Sequence, residues 1–313
     1  MLSQVRMAFV RCIDYLFHSA SDIASTSRRH KHREPGGSGL NSMSKLAKTC
    51  VISACREPAP RVFEKSGADI FLCPACGCIM ASVEYDEDQY ESDDYYTMAS
   101  DDVRDMETRW GFRSRYILGK VLEHSGAEPT LLDVGAGNGY FVHVAQRDLG
   151  IAATGIEISS TAVKFSDAVL GVKLICQDAA HHTGQYDIVT SFNVIEHTQN
   201  PEDHLAELLR LTKAGGHVVI TTPNPNCIQR RAVGLKNWKM ICPPHHINIF
   251  SLKALTSMTR GANLEMVAHE TLSTYVKAVK DIDTDSLLLR RLFFNTFKLL
   301  GLGADHLIIA RKM

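Results

Sequence analysis

Three glycines at alternate positions interrupt the stretch 130-TLLDVGAGNGYF-141, directly behind a short apolar run that carries Asp133 near its end. Residues 130–134 read as a buried strand and 139-GYFVHVAQRDL-149 as an amphipathic helix, so the glycines sit at a strand-to-helix turn. Next, 151-IAATGIEIS-159 reads as a second strand with Glu157 near its end, followed by a helix over residues 160–170. This is a βαβ unit with an acid at the tip of its second strand, where it can accept hydrogen bonds from both ribose hydroxyls.

A turn of this kind suits several ligands. A phosphate-cradling P-loop needs Gly-Lys-Ser/Thr at the end of the turn, and none is present. A dinucleotide fold wants G-x-G-x-x-G, whereas Gly135, Gly137 and Gly139 are spaced singly. The third arrangement, D/E-x-G-x-G-x-G as in 133-DVGAGNG-139, binds S-adenosylmethionine (SAM). Its glycines admit the methionine part, its helix N-terminus faces a carboxylate, and Asp133 can meet the amino end. Taken alone, the stretch is equally compatible with a purely structural turn.

The chain downstream continues the alternation. A third strand over 172-VKLIC-176 precedes Asp178, an acid suited to the exocyclic amine of adenine. A fourth strand, 186-YDIVTSF-192, leads into a loop, a helix that begins at Pro201, a Gly-Gly stop and a fifth strand. Further on come a helix near residues 252–262, a sixth strand near 263–272, a helix over 285–300 and a last strand over 305–312. On that last helix Leu287, Leu288, Leu292, Phe293 and Leu299 are expected to face the sheet.

Four of the nine cysteines form a second pattern, Cys50-x4-Cys55 and Cys73-x2-Cys76, in 50-CVISAC-55 and 73-CPACGC-78. Two cysteine-bearing turns at this separation present four thiolates to one Zn²⁺, and the strands expected in 61-RVFEKSGADIFL-72 match a zinc ribbon. Four thiolates leave no open coordination position, so the metal's expected role is structural. The competing reading is four small buried hydrophobes, with Cys78 a spare thiol in either case. An odd cysteine count argues for reduced thiols and a cytoplasmic setting.

Before the cysteines, 28-RRHKHR-33 and 35-PGGSGLNSMS-44 cannot bury enough apolar surface to fold, so residues 1–42 read as a flexible tail. Residues 1–18 can form a short amphipathic helix, and Asp14 and Asp22 count against a targeting role. A zinc-ribbon-like module is expected over 43–84 and the main domain over 85–313. The acidic stretch from residue 84 onward reads as a solvated linker, with Tyr90, Tyr95 and Tyr96 available to cover a ligand. A formal net charge of -1 gives no pull towards nucleic acid, and no apolar run is long enough to span a membrane.

Taken together, 131-LLDVGAGNGYF-141, 193-NVIEHTQNP-201, 221-TTPNP-225, 245-HHINIFS-251 and 303-GADHLIIARK-312 resemble the class I SAM-dependent methyltransferases. The likeness is to the small-molecule group that joins a Cys-rich segment to this domain, and it runs from about Cys50 to Met313. It implies an α/β, Rossmann-like, seven-stranded and mostly parallel sheet with helices on both faces, its seventh strand antiparallel beside the sixth. It also implies that Asp133, Gly135, Ala136 and Gly137 wall the methionine part and that Glu157 binds the ribose. Ile158 would then pack on adenine, Asp178 and Ala179 would read its edge, and Asn193 would lie beside the sulfonium. Some quinone-pathway relatives use a further acid after the fourth strand in a metal site. Here Phe192-Asn193-Val194 does not supply it for a Mg²⁺ role of Glu196 and His197.

Among 14 histidines two are candidates for proton removal: His246, in the loop 238-WKMICPPHHINIF-250, and His197, after the fourth strand, where it can equally pin the loop. Trp238, Tyr95 and Tyr96 are the aromatic candidates for the pocket wall. The expected function is methyl transfer to a small-molecule acceptor, with a sugar or glycan hydroxyl favoured by the resemblance. A protein or nucleic-acid methyltransferase that uses the zinc module for recognition, and a non-catalytic scaffold with a decayed domain, are the alternatives.

Overall fold

The computed structural model describes residues 47–83, 103–272 and 295–313. The expectations for the tail, for Tyr90, Tyr95 and Tyr96, and for Leu287, Leu288, Leu292 and Phe293 lie outside the described residues.

The first strands are β1 (Ala47–Thr49), β2 (Pro58–Lys65), β3 (Ala68–Leu72) and β4 (Ile79–Ala81). Helix α1 (Phe112–Leu122) leads into β5 (Thr130–Val134), α2 (Tyr140–Leu149), β6 (Ala152–Glu157), α3 (Ser160–Phe165) and β7 (Ile175–Cys176). Then come β8 (Tyr186–Phe192), α4 (Pro201–Arg210), β9 (Thr212–Pro223) and α5 (Ile228–Val233). The chain closes with β10 (Asn248–Ile249), α6 (Leu252–Gly261), β11 (Leu264–Leu272) and β12 (Asp305–Lys312).

Seven of these strands form one sheet in the order β11-β12-β9-β8-β5-β6-β7. The pairs among β9, β8, β5, β6 and β7 are parallel, and β12 is antiparallel to both β9 and β11. Leu131, Leu132, Val189, Val218, Val219, Ile308 and Ile309 are almost wholly inaccessible, as a parallel sheet covered on both faces demands. Strand order reverses between β8 and β5, so the crevice beyond their carboxyl ends is where this architecture binds ligands.

The helices start and stop where their side chains allow. Pro201 occupies the first turn of α4 with Glu202 and Asp203 beside it. Ser251 caps α6 by accepting the Ala254 N–H at 3.1 Å.

A smaller sheet has the order β1-β2-β3-β4-β10. Its first four strands come from the cysteine module, with β2 and β3 meeting at a turn through Gly67, as the sequence led one to expect. Its fifth, β10, comes from beyond the fifth strand of the main sheet and pairs Asn248 with Met80 and Ile249 with Ile79. The module also shares a core with the main domain: Cys50, Cys73, Cys76 and Met80 cluster with Leu205, Leu208, Phe250 and Ala254.

Several details differ from the sequence reading. The third strand is only two residues long, because the apolar side chains of Val172 and Leu174 turn into the core under α2 before the edge pairing begins. Gly215 and Gly216 lie inside β9 and are absorbed by a register shift against β8 instead of stopping the chain. Among the described residues of the last helix, 295–299, Leu299 is 87% exposed and Phe297 is buried.

A candidate cofactor cavity and a four-thiol cluster

The carboxyl ends of β5, β6 and β8 converge on two adjoining cavities. One, of about 380 Å³, is lined by Gly135, Gly137, Glu157, Ile158, Asp178, Ala179, Asn193 and His197 among others. The other, of about 310 Å³, is lined by Asp133, Ala136, Arg113, Asp305 and a group of aromatics, and shares Gly135, Gly137 and Asn193 with the first. Every residue that the sequence marked for the cofactor thus borders this pair of cavities.

Local geometry explains the residue types. Gly135 has φ +71, and a Cβ there would come within 2.6 Å of a Val194 methyl carbon. Gly139 serves packing instead, since a Cβ would lie 2.1 Å from the Ser166 hydroxyl. Glu157 accepts the Gly137 N–H at 2.8 Å with one oxygen and the Ser159 N–H at 3.0 Å with the other. The acid at the tip of β6 therefore also sets the shape of the turn beside it.

Asn193 lies at φ 53, a left-handed backbone uncommon outside glycine. Three hydrogen bonds hold it there: its N–H donates to the Thr221 carbonyl at 2.8 Å, its Oδ1 accepts from Thr221 at 3.1 Å, and its Nδ2 donates to Glu196 at 3.1 Å.

Asp133 is 2% exposed and accepts a hydrogen bond from Thr190 at 2.6 Å. Burial, with the Glu157 charge added, pushes its carboxyl up to about 7. A buried acid facing a cavity is a fitting partner for a cationic group. Burial also pushes at Asp178, yet the His181 N–H and ring, at 2.9 and 2.7 Å, hold its carboxyl below the usual range.

Three side chains at the site gave no signal in the sequence. Arg113, on α1, pairs with Asp305 at 2.5 Å inside the second cavity. Arg210 closes α4 and donates to the carbonyls of Ala179 at 2.6 Å and His182 at 2.9 Å, fastening the loop that carries Asp178. Arg113, Asp305 and Arg210 are ordinary charged residues by spacing, and only the tertiary fold turns them inward.

The two histidine candidates are adjacent, with ring centroids 4.9 Å apart and edge to face. His197 lines the first cavity, and its ring is held between the carbonyls of His245, 2.9 Å from Nδ1, and Asn193. Burial, together with the His246 charge, pulls its imidazole down to about 3. His246 donates through Nδ1 to the Met240 carbonyl at 2.7 Å, stands behind His197, and borders neither cavity. Burial lowers its pKa as well. Donor atoms of Glu196, His197 and His246 lie within 4.8 Å of one another. Both Glu196 oxygens, however, already accept hydrogen bonds, from Asn193 and from Thr222 at 3.0 Å. Burial pushes that carboxyl up to about 8, which suits a neutral internal brace. Trp238 is not a pocket wall: it is 3% exposed and packs with Ile70, Ile79 and Ile249 of the smaller sheet, because β10 draws its loop there.

The thiols of Cys50, Cys55, Cys73 and Cys76 lie within 4.8 Å of one another. Sulfur pairs are 3.5 Å apart for Cys50 and Cys76 and 3.6 Å for Cys55 and Cys73. Tetrahedral zinc with bonds of about 2.3 Å needs sulfur atoms about 3.8 Å apart, so the donor set fits. Turns hold the pairs: Cys55 N–H donates to Ile52 O at 2.9 Å and Gly77 N–H to Cys73 O at 2.9 Å. Cys78 is buried beside the set, its thiol in contact with that of Cys50, and is not one of the four donors.

A family model described as a methyltransferase domain matches residues 109–269, just over half of the chain. The ubiquinone biosynthesis O-methyltransferase of Thiobacillus denitrificans is 33% identical over 105 residues, 31% of this chain and 45% of that protein. The enzyme of the same name from Cronobacter sakazakii is 30% identical over 134 residues, 39% of this chain and 51% of that protein. The chain thus spans about half the length of the curated relatives it matches. A Haloferax volcanii complex containing the Trm112 methyltransferase activator yields a structural match with TM-score 0.51 at 18% identity, covering 71% of this chain and 95% of that one, which is a likeness of fold. Among the described residues no helix is long and apolar enough to cross a membrane. With the matched domain, the seven-stranded sheet and the cavity at its switch point together, the chain belongs to the class I SAM-dependent methyltransferases.

Proposed function

We propose that this protein transfers a methyl group from SAM to a hydroxyl oxygen of a small-molecule acceptor. The observation that carries the reading is the pair of adjoining cavities, one edged by Glu157 and Asp178 and the other by Asp133 and Arg113. Their donor chemistry fits a nucleoside at one end and an amino acid at the other. In this reading Glu157 takes the ribose hydroxyls, Ile158 supports the adenine, and Asp178 and Ala179 meet its edge. Asp133 takes the α-amino group, Arg113 the α-carboxylate, and Gly135, Ala136, Gly137 and Asn193 line the path between. The names of the relatives support oxygen as the methylated atom.

SAM, when bound, supplies a methyl group on a sulfonium that already contains its leaving group. The protein's part is alignment, which contributes up to roughly 7–11 kcal/mol in favourable cases. Removal of the acceptor proton is assigned to His246, whose Nδ1 donates to the Met240 carbonyl and leaves Nε2 to accept the proton. Because its ring borders neither cavity, the acceptor reaches it from outside the two cofactor cavities. A hydroxyl that does not ionise by itself near neutrality, such as that of a sugar, is the acceptor that needs such a base. Isotope transfer from methyl-labelled SAM to a panel of sugar and phenol hydroxyls tests the reading. Binding of SAH with no transfer to any hydroxyl would overturn it.

Arg113→Met separates the two cavities. It is expected to weaken S-adenosylhomocysteine (SAH) by about 10- to 100-fold, the worth of a charge-assisted bond. 5′-Methylthioadenosine, which lacks the α-carboxylate, is expected to bind equally to both proteins. Equal losses for the two ligands count against the assignment.

The four thiolates are further proposed to hold one structural Zn²⁺. Elemental analysis is expected to find about one zinc per chain, and Cys73→Ser to lose it together with the fold of the module. Metal-free protein that is folded, with all four thiols freely titratable, would remove the metal from the account.

A further inference from the structure

Residues 245–249 lie between the cysteine module and the cofactor cavity and are hydrogen-bonded to β4 of the one and to the wall of the other. Towards the module, β10 pairs with β4, and the Ala81 N–H donates to the Ile247 carbonyl at 2.8 Å. Towards the cavity, the Ile247 N–H donates to the Glu196 carbonyl at 2.9 Å, and His197 holds the His245 carbonyl at 2.9 Å. Asn248, 2% exposed, donates from Nδ2 to the Thr198 carbonyl at 2.9 Å. His197 and Thr198 are both walls of the first cavity.

The metal end of this path is equally direct. The Ser251 hydroxyl donates to the carbonyl of Cys76 while capping α6. Lys253 reaches the Ala75 carbonyl at 2.6 Å. A cysteine turn, a two-residue strand pairing and one buried amide therefore connect a thiol ligand to the cavity wall.

We propose that the cysteine module positions the cofactor cavity: through β10 and Asn248 it holds the turn of Glu196, His197 and Thr198 in the place where SAM is bound. The proposal rests on the SAM reading above, and it makes the module a brace for the cofactor rather than a recognition element for the acceptor. A module this small has little core of its own, so the proposed metal adds to the rigidity it draws from the core shared with the main domain. Metal and cofactor then favour the same arrangement of residues 245–249, and each strengthens the other's binding by one shared factor.

The test uses the full chain. Zinc is withdrawn with a chelator, and amide hydrogen exchange is followed at Ile247, His197 and Thr198, with the amides of β5 as the reference. Protection is expected to fall at those three amides and to persist in β5, while SAH affinity measured by calorimetry falls about tenfold, the scale of one buried hydrogen bond left unmade. Loss of protection confined to residues 47–83, with SAH affinity unchanged, overturns the proposal. Should the stripped protein lose protection in β5 too, or the chain carry no zinc, Asn248→Leu decides, since it leaves the thiols untouched. This variant is expected to bind SAH about tenfold more weakly while its melting temperature stays within a few degrees; unchanged SAH affinity overturns the brace. Failure of the unaltered protein to bind SAH sinks the SAM reading instead, and exchange at His197 and Thr198 still decides whether the module holds the turn.

Discussion

Glu157→Ala is expected to raise the Kd for SAH by at least about 10²-fold, because the two charge-assisted bonds proposed to the ribose, each worth ~1.5–3 kcal/mol, would be lost together. The glycine turn also loses its anchor, since the carboxylate accepts the N–H groups of Gly137 and Ser159. Glu157→Gln keeps one acceptor oxygen and is expected to fall between the two proteins. Calorimetric titration with SAH is the measurement. An alanine variant within threefold of the unaltered protein would show that the ribose lies elsewhere.

His246→Ala is expected to reduce methyl transfer by roughly 10²–10⁴-fold, the usual share of a general base, with SAH affinity nearly unchanged. His197→Ala is expected to behave in the opposite sense, weakening SAH, because its ring joins the cavity wall to residues 245–249. The pH profile gives a second check. The neutral imidazole is the active form, so the rate falls as the pH drops through the pKa of His246. Burial holds that pKa below the ordinary value of 6.5, and the acid limb therefore lies on the acid side of pH 6.5. A limb at or above pH 6.5, or full turnover in the alanine variant, would exclude His246.

The parts of the site written in local sequence were legible without coordinates. Glycines at alternate positions, an acid at the end of each neighbouring strand and cysteine pairs on short turns are each set by backbone geometry within a few residues. The same holds for Asp133, Glu157 and Asp178, which border the cavities where the strand ends put them. Arg113, Arg210 and Asp305 were invisible because their roles depend on strands and helices that meet only in the folded chain. His246 and Trp238 mark the limit most clearly. Trp238, in the loop after the fifth strand, is by sequence a candidate for the pocket wall, yet two residues of that loop join the smaller sheet and carry Trp238 into that sheet's core. A two-residue strand has no periodicity to read, so nothing in its own sequence marks the pairing.

The borrowed strand has a consequence for the order in which the chain can be assembled. During synthesis the cysteine module emerges early, yet Ile79 and Met80 have no outer neighbour until Asn248 and Ile249 have left the ribosome. Until then β4 is a bare hydrogen-bonding edge, the kind of surface on which nascent chains associate wrongly. With the proposed zinc, early capture of the metal would close the cysteine turns while the rest of the chain is still being made, and would leave the last pairing as a single long-range step. Such steps are slow, because a long loop must close before any contact is gained. Completion of the small sheet and fixing of the Glu196–Thr198 turn at the first cavity are therefore the same late event in folding.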